Sequence, residues 1–150
     1  MLLREATDED AEALARLMTE FSGLETGTEQ MRRRLERSRG VEHPIVAAVE
    51  GRVVGFASLR LGYYLGEDAP YAEVSELFVT ALHRRQGIGR SMMRAMQERA
   101  EVAGASSVVV LTDAENGAAL SVYRATGFRT FAVALQKWLG QDRPFREHEG

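Results

Sequence analysis

The chain has 150 residues, 45% of them hydrophobic and 27% charged, with a formal net charge of -3. Those values fit one globular domain with a real core and argue against a general nucleic-acid binder, whose surface is usually basic. Cysteine is absent, which excludes a disulfide framework, a thiolate metal site and a cysteine nucleophile. No apolar run approaches the roughly 18 residues needed to span a bilayer. The opening Met1-Leu-Leu-Arg-Glu-Ala-Thr7 does not read as a secretory signal. A cytoplasmic protein with no membrane or nucleic-acid partner is the expectation.

Leu2–Ala6 alternates as a short strand, and Thr7-x-x-Asp10 offers an N-cap with acidic residues in the first turn. Leu14, Leu17, Met18 and Phe21 recur at helical spacing and predict a helix that runs to Ser22-Gly23. Thr28 caps a second helix, from Glu29 to about Ser38, anchored by Met31 and Leu35. Its arginines (Arg32, Arg33, Arg34, Arg37, with Arg39 just beyond) read as a solvated face paired with Glu29 and Glu36. Ile45–Val49 and Val53–Leu61 are strands joined by the tight turn Glu50-Gly51-Arg52. A loop over 62–70, rich in glycine, aromatics and acids, leads to a strand at Glu73–Val79.

After that strand come His83 and the run Arg84-Arg85-Gln86-Gly87, then Ile88-Gly89-Arg90-Ser91. From Ile88 the apolar residues Met92, Met96, Ala100 and Ala103 keep helical spacing. Gly87 and Gly89 stand where the backbone turns tightly, and the helix start that follows combines free N–H groups with Arg84, Arg85 and Arg90. This is an anion site suited to a phosphate or pyrophosphate. A Walker loop is excluded because no Gly-Lys-Ser/Thr follows; a dinucleotide turn is excluded because position 92 is Met92 and no acid stands about 20 residues on. Ser107–Thr112 reads as an apolar central strand, Asn116 caps a short helix over 117–125, and Gly127 stops it. Phe131–Trp138 alternates weakly as a last strand, and 141–150 reads as a polar tail to a single domain over 1–140.

Arg84-x-x-Gly87-x-Gly89 resembles the pyrophosphate-binding signature of the GNAT family of N-acetyltransferases. The segment Asn116-Gly-Ala-Ala-Leu-Ser-Val-Tyr123-Arg-Ala-Thr-Gly127-Phe128 is similar to the family's C-terminal motif, at the family's spacing. Arg4-x-Ala-Thr-x-x-Asp10 resembles the way such domains begin, so the likeness covers residues 2–138. One departure is Ala81, where members often carry proline. The resemblance implies a mixed α/β fold with a mostly antiparallel sheet and a splayed, parallel central pair. It also implies acetyl-CoA as cosubstrate, no metal, and a small-molecule or peptide amine as acceptor.

Under that resemblance, Arg84 to Ser91 would cradle the pyrophosphate, mainly through backbone N–H groups. Leu77, Phe78 and Val79 would accept the pantetheine arm as an added strand. The Val79 N–H would face the thioester oxygen at a bulge, with Asn116 and Tyr123 beside the cofactor. Tyr123 is the candidate acid for the departing thiolate. The candidate bases are Glu73 and Glu76, placed on opposite faces by strand alternation, with Glu73 slightly preferred from its distance to Gly87. His43 and His83 read as structural or peripheral. A non-catalytic acyl-CoA-binding sensor is the alternative, and both monomer and homodimer remain open.

Overall fold

The computed structural model describes residues 1–140; the expected tail over 141–150 lies outside them. Strand β1 (Leu2–Glu5) leads through a 3-10 turn at Asp8–Asp10 into α1 (Ala11–Ser22) and α2 (Thr28–Ser38). Then follow β2 (Glu42–Val49), β3 (Arg52–Gly62), β4 (Tyr71–Val79) and α3 (Ile88–Val102), with β5 (Val108–Val110) and α4 (Gly117–Ala125) last. The five strands form one sheet in the order β1-β2-β3-β4-β5. All neighbours are antiparallel except β4 and β5, which run parallel. The fold is the mixed α/β arrangement that the element order predicts.

Each face of the sheet carries its own core. On one face, α3 buries the stripe Ile88, Met92, Met96 and Ala100 against Ile45, Leu59 and Val74 of the strands. Met92 and Met96 are fully buried, each contributing about 1.5–3 kcal/mol of hydrophobic burial. On the other face, α1 lays Leu14 and Leu17 against Val46, Phe56 and Phe78, and α2 joins through Met31. Phe21, Phe56 and Phe78 meet as an aromatic cluster, with ring centroids 5.1–6.2 Å apart.

Several details differ from the sequence expectation. Thr28 is the first helical residue of α2, and Gly27 takes the cap position. β5 spans three residues, not six, and is the outermost strand among the described residues; Leu111 just beyond it is 64% exposed. No strand forms over Phe131–Trp138, where Phe131, Val133 and Leu135 are exposed. Alternation can specify which face a strand would bury, but it cannot supply a ladder partner. Of the α2 arginines, Arg32 pairs with Glu29 as expected, whereas Arg39 reaches Asp8 at 2.6 Å.

The N-terminus is fixed by one buried acid. Asp10 is 5% exposed, accepts two hydrogen bonds from the Arg4 guanidinium at 2.7 and 2.8 Å, and takes the Thr7 N–H at 2.8 Å. The Arg4 hydrogen bonds outweigh the opposing effect of burial and hold the Asp10 carboxyl below its usual range. A depressed carboxylate pKa stabilises the fold above its unfolded value of about 3.9, and the contribution fades as pH falls through the folded value. Asp10→Asn should therefore cost about 1.5–3 kcal/mol in urea unfolding at pH 7. The gap to wild type should shrink steadily below about pH 4.

Candidate functional site

β4 determines where the site lies, because it is irregular. Ser58 of β3 pairs with Glu76, whereas the next residue, Leu59, pairs with Val74, leaving Ser75 as an extra residue in β4. A bulge of this kind changes which face the following side chains occupy. Ala72, Val74, Leu77 and Val79 all belong to the α3 side. Phe78 lies in the α1–α2 core, and Ser75 and Glu76 line a cavity on that same side. Glu73 is opposite Arg60, which also lines that cavity. Glu73 and Glu76 therefore share a face, contrary to the expectation from simple alternation.

The cavity between α1–α2 and the sheet has a volume of about 620 Å³. Its floor carries Glu42 of β2, an acid that periodicity did not single out. Glu42 accepts hydrogen bonds from Ser58 Oγ at 2.5 Å and Ser75 Oγ at 2.7 Å, and Arg60 reaches its other oxygen at 2.5 and 2.9 Å. Burial works to raise the Glu42 pKa, but these donors together hold it below the ordinary carboxylate value. Arg60 also stands 3.8 Å from Glu73. Glu42 and Glu73 are thus both compensated.

Glu76 differs from them. Its carboxylate is half-buried and makes no side-chain hydrogen bond or ion pair with the described residues. Burial pushes its pKa up, the nearby Glu42 charge adds to that, and Arg34 and Arg60 only partly oppose the rise. A desolvated carboxylate with a raised pKa is suited to accepting a proton near neutral pH. Arg34, read from sequence as part of a solvated face, instead lines this cavity.

Beyond the bulge, β4 leaves its parallel neighbour. Pairing with β5 covers only Ala72, Glu73 and Val74, so the segment from Ser75 to Val79 has no partner on that side among the described residues. The Thr80 N–H points to β3, donating to the Val54 carbonyl at 2.9 Å. Backbone direction alternates along a strand, so the Val79 N–H faces away from β3 into the opening. Gly55 of β3 keeps this end of the pair tight: a Cβ there would come within 2.9 Å of the Phe78 carbonyl oxygen.

α3 begins at this opening. Gly87 adopts a left-handed conformation (φ 81°) at its cap position, where no side chain caps the helix. The first helical bond runs from Ser91 N–H to the Gly87 carbonyl at 3.0 Å, so the N–H groups of Ile88, Gly89 and Arg90 precede it. The Ile88 side chain is buried in the core, so only its backbone serves the opening. Gly89 lies beside the strand end, its Cβ position 3.8 Å from Leu77 and 3.9 Å from Val79. Arg85 and Arg90 are exposed, as is Gln86. Arg84 folds back, donating from Nε to the Val79 carbonyl at 3.0 Å with its guanidinium 5.4 Å from the Phe78 ring centroid. These groups fit a pyrophosphate with an extended arm running to β4: free N–H donors at a helix start, flanking cations and an open strand edge.

A second residue that periodicity missed is Glu20 at the end of α1. It accepts from Thr80 Oγ1 at 2.8 Å and from the Ala81 N–H at 2.9 Å, tying α1 to the loop that enters α3. Tyr123 of α4 is half-buried on the α3 side, edge-on to Phe128 at 5.7 Å between centroids. Burial pushes its phenol pKa up, so it keeps its proton at neutral pH. Asn116 uses its Oδ1 to cap α4, accepting the Ala119 N–H at 3.1 Å. His43 is exposed on β2, and the Nδ1 of His83 is buried without a hydrogen-bond partner among the described residues.

The architecture recurs in solved structures. An acetyltransferase from Trypanosoma brucei superposes with a TM-score of 0.82 over 92% of this chain and 99% of that one, at 18% identity. Among curated relatives, a mycothiol acetyltransferase from Amycolatopsis mediterranei is 45% identical over 64 residues, 42% of this chain and 19% of that protein. The N-acetyltransferase family 8 member 3 of Mus musculus is 30% identical over 98 residues, 65% of this chain and 43% of that protein. The chain thus matches less than half the length of either relative. The model of the acetyltransferase (GNAT) family matches residues 10–128, which include the glycine turn, Glu73, Glu76 and Tyr123, and the chain belongs to that family.

Proposed function

We propose that the protein is an acetyl-CoA-dependent N-acetyltransferase that acts on a primary amine of a small molecule or peptide by direct attack. The observation that carries this reading is Glu76: an uncompensated, half-buried carboxylate facing a cavity at the strand that also presents the free Val79 N–H. Acetyl-CoA supplies the thioester carbon as electrophile and the thiolate as leaving group. The N–H groups at the start of α3 hold its pyrophosphate, helped by Arg85 and Arg90, while Arg84 braces the strand end through Val79.

An alkyl amine enters as ammonium, with a pKa of about 10.4, and must lose a proton before attack. Glu76 takes that proton, directly or through a water. Glu73, already beside Arg60, is the weaker base candidate. As the amine nitrogen bonds to the carbonyl carbon, the Val79 N–H donates to the developing oxyanion. When the carbon–sulfur bond breaks, Tyr123 protonates the sulfur. The second amine proton then restores the phenol, so one proton leaves per turnover. A thiol pKa of about 8.5 lies below that of an ordinary phenol at about 10, and burial widens the gap. Tyr123 consequently acts as a hydrogen-bond donor that completes the transfer late, as the sulfur charge develops.

A panel of amines mixed with protein and acetyl-CoA, followed by free-thiol release, tests the reading. Release with at least one amine is expected; clear CoA binding with no release from any amine would leave only a binding module. Tyr123→Phe should lower kcat about 100-fold with little change in acetyl-CoA affinity, and equal loss of both would contradict its assignment. Glu76→Gln should lower kcat/KM by about 100-fold and remove the acidic limb of the pH profile. Because the Glu76 pKa is raised, that limb should lie above the ordinary glutamate value of about 4.3. A larger effect from Glu73→Gln would transfer the role to Glu73.

A further inference from the structure

The proposed acceptor cavity holds two opposite half-buried charges without a partner among the described residues, beside the exposed Glu25 and Arg37. Glu76 is one. Arg34 is the other: half-buried on α2, it lines the same cavity and forms no hydrogen bond or ion pair with the described residues. Its charge is nonetheless felt at Glu76. The remaining cations are differently placed, since Arg60 is taken by Glu42 and Glu73, and Arg37 is exposed. The cavity wall also carries apolar side chains, Met18 of α1, Leu35 of α2 and Phe56 of β3, among polar ones such as Ser22, Thr26 and Gln30.

Leaving a guanidinium and a carboxylate both without partners in one partly desolvated space is costly unless a ligand pairs them. A simple alkylamine would satisfy Glu76 and leave Arg34 unmatched. A ligand carrying an amine and a carboxylate on an apolar frame would match both, and arginine is the side chain whose planar fork best fits a carboxylate. We propose that the acceptor is a zwitterionic amine, an amino acid with an apolar body, whose carboxylate is bound by Arg34 while its amino group faces Glu76. This rests on the acetyl-transfer reading for its chemistry but concerns recognition alone, so binding can test it separately.

The test uses the full chain with saturating CoA, which binds without turnover, and calorimetric titration of two matched pairs. L-Leucine is compared with 3-methylbutylamine, and 6-aminohexanoate with hexylamine, so that both short and long charge separations are covered. The carboxylated member should bind about tenfold or more tightly in at least one pair, as a charge-assisted contact of this kind allows. Arg34→Ala should abolish that preference while leaving the binding of the plain amine within about twofold. Arg34→Lys, which keeps the charge without the fork, should restore part of it. Absence of preference in both pairs, or a preference that survives Arg34→Ala, would overturn the proposal. Thiol release from acetyl-CoA separates the two readings. Preferential binding without release would preserve the recognition site and remove the transferase. Release that ignores the carboxylate, and falls equally for both members in Arg34→Ala, would do the reverse.

Discussion

The extra residue at Ser75 puts two consecutive side chains of β4, Ser75 and Glu76, opposite one residue of β3, Ser58. The residues before the bulge then present Glu73 to the same side as Glu76, and the residues after it present Phe78 there. The same irregularity falls where β4 stops pairing with β5. One local change in register thus brings Glu73 and Glu76 to the sheet face below α1 and α2 and, a few residues on, leaves a strand edge with free backbone groups. The serine of the bulge is itself bonded to Glu42, so the irregularity is held by a half-buried polar contact as well as by the ladder.

The two halves of the site use different physics. On the proposed cofactor side the donors are mostly main-chain N–H groups, fixed by α3, by Gly87 and by β3 through the Thr80 bond. On the proposed acceptor side the groups are side chains: Glu42, Arg60, Glu73 and Glu76 from the sheet, and Arg34 from α2. Glu20 links the halves, because the helix that walls the cavity also accepts two hydrogen bonds from the loop before α3. The aromatic contact of Phe21 with Phe78 reinforces that link at the edge of the core.

Much of this was legible in the sequence, and the limits have physical causes. Helical spacing located most of the buried stripes of α1 and α3, although Phe21 is 41% exposed and Ala103 lies exposed beyond the end of α3; the glycine turn with the Asn116–Phe128 segment pointed to the family. Period-two alternation could not reveal the bulge, because it assumes the register that a bulge breaks; Glu73 and Glu76 were therefore assigned to opposite faces. Glu42 was missed since it lies before the apolar run of β2, where nothing marks it as part of a strand. Arg34 was hidden among four similar neighbours, and only the packing of α2 distinguishes it from them. The alternating stretch at Phe131–Trp138 shows the converse failure, a local pattern without the partner a strand requires.

Gly55 has a consequence for how such a domain can diversify. A methyl group there would strike a backbone oxygen at 2.9 Å, and a main-chain atom cannot rotate away as a side chain can. Any larger residue would push apart the strand ends that orient Val79, so this position is closed to variation. The cavity between α1–α2 and the sheet carries no such restriction, because its polar groups are side chains, which can be exchanged without moving the main chain. Under the proposed function, drift can exchange one acceptor for another while the strand edge stays constant, and the division between main-chain and side-chain chemistry becomes a division between what is fixed and what can be re-specified.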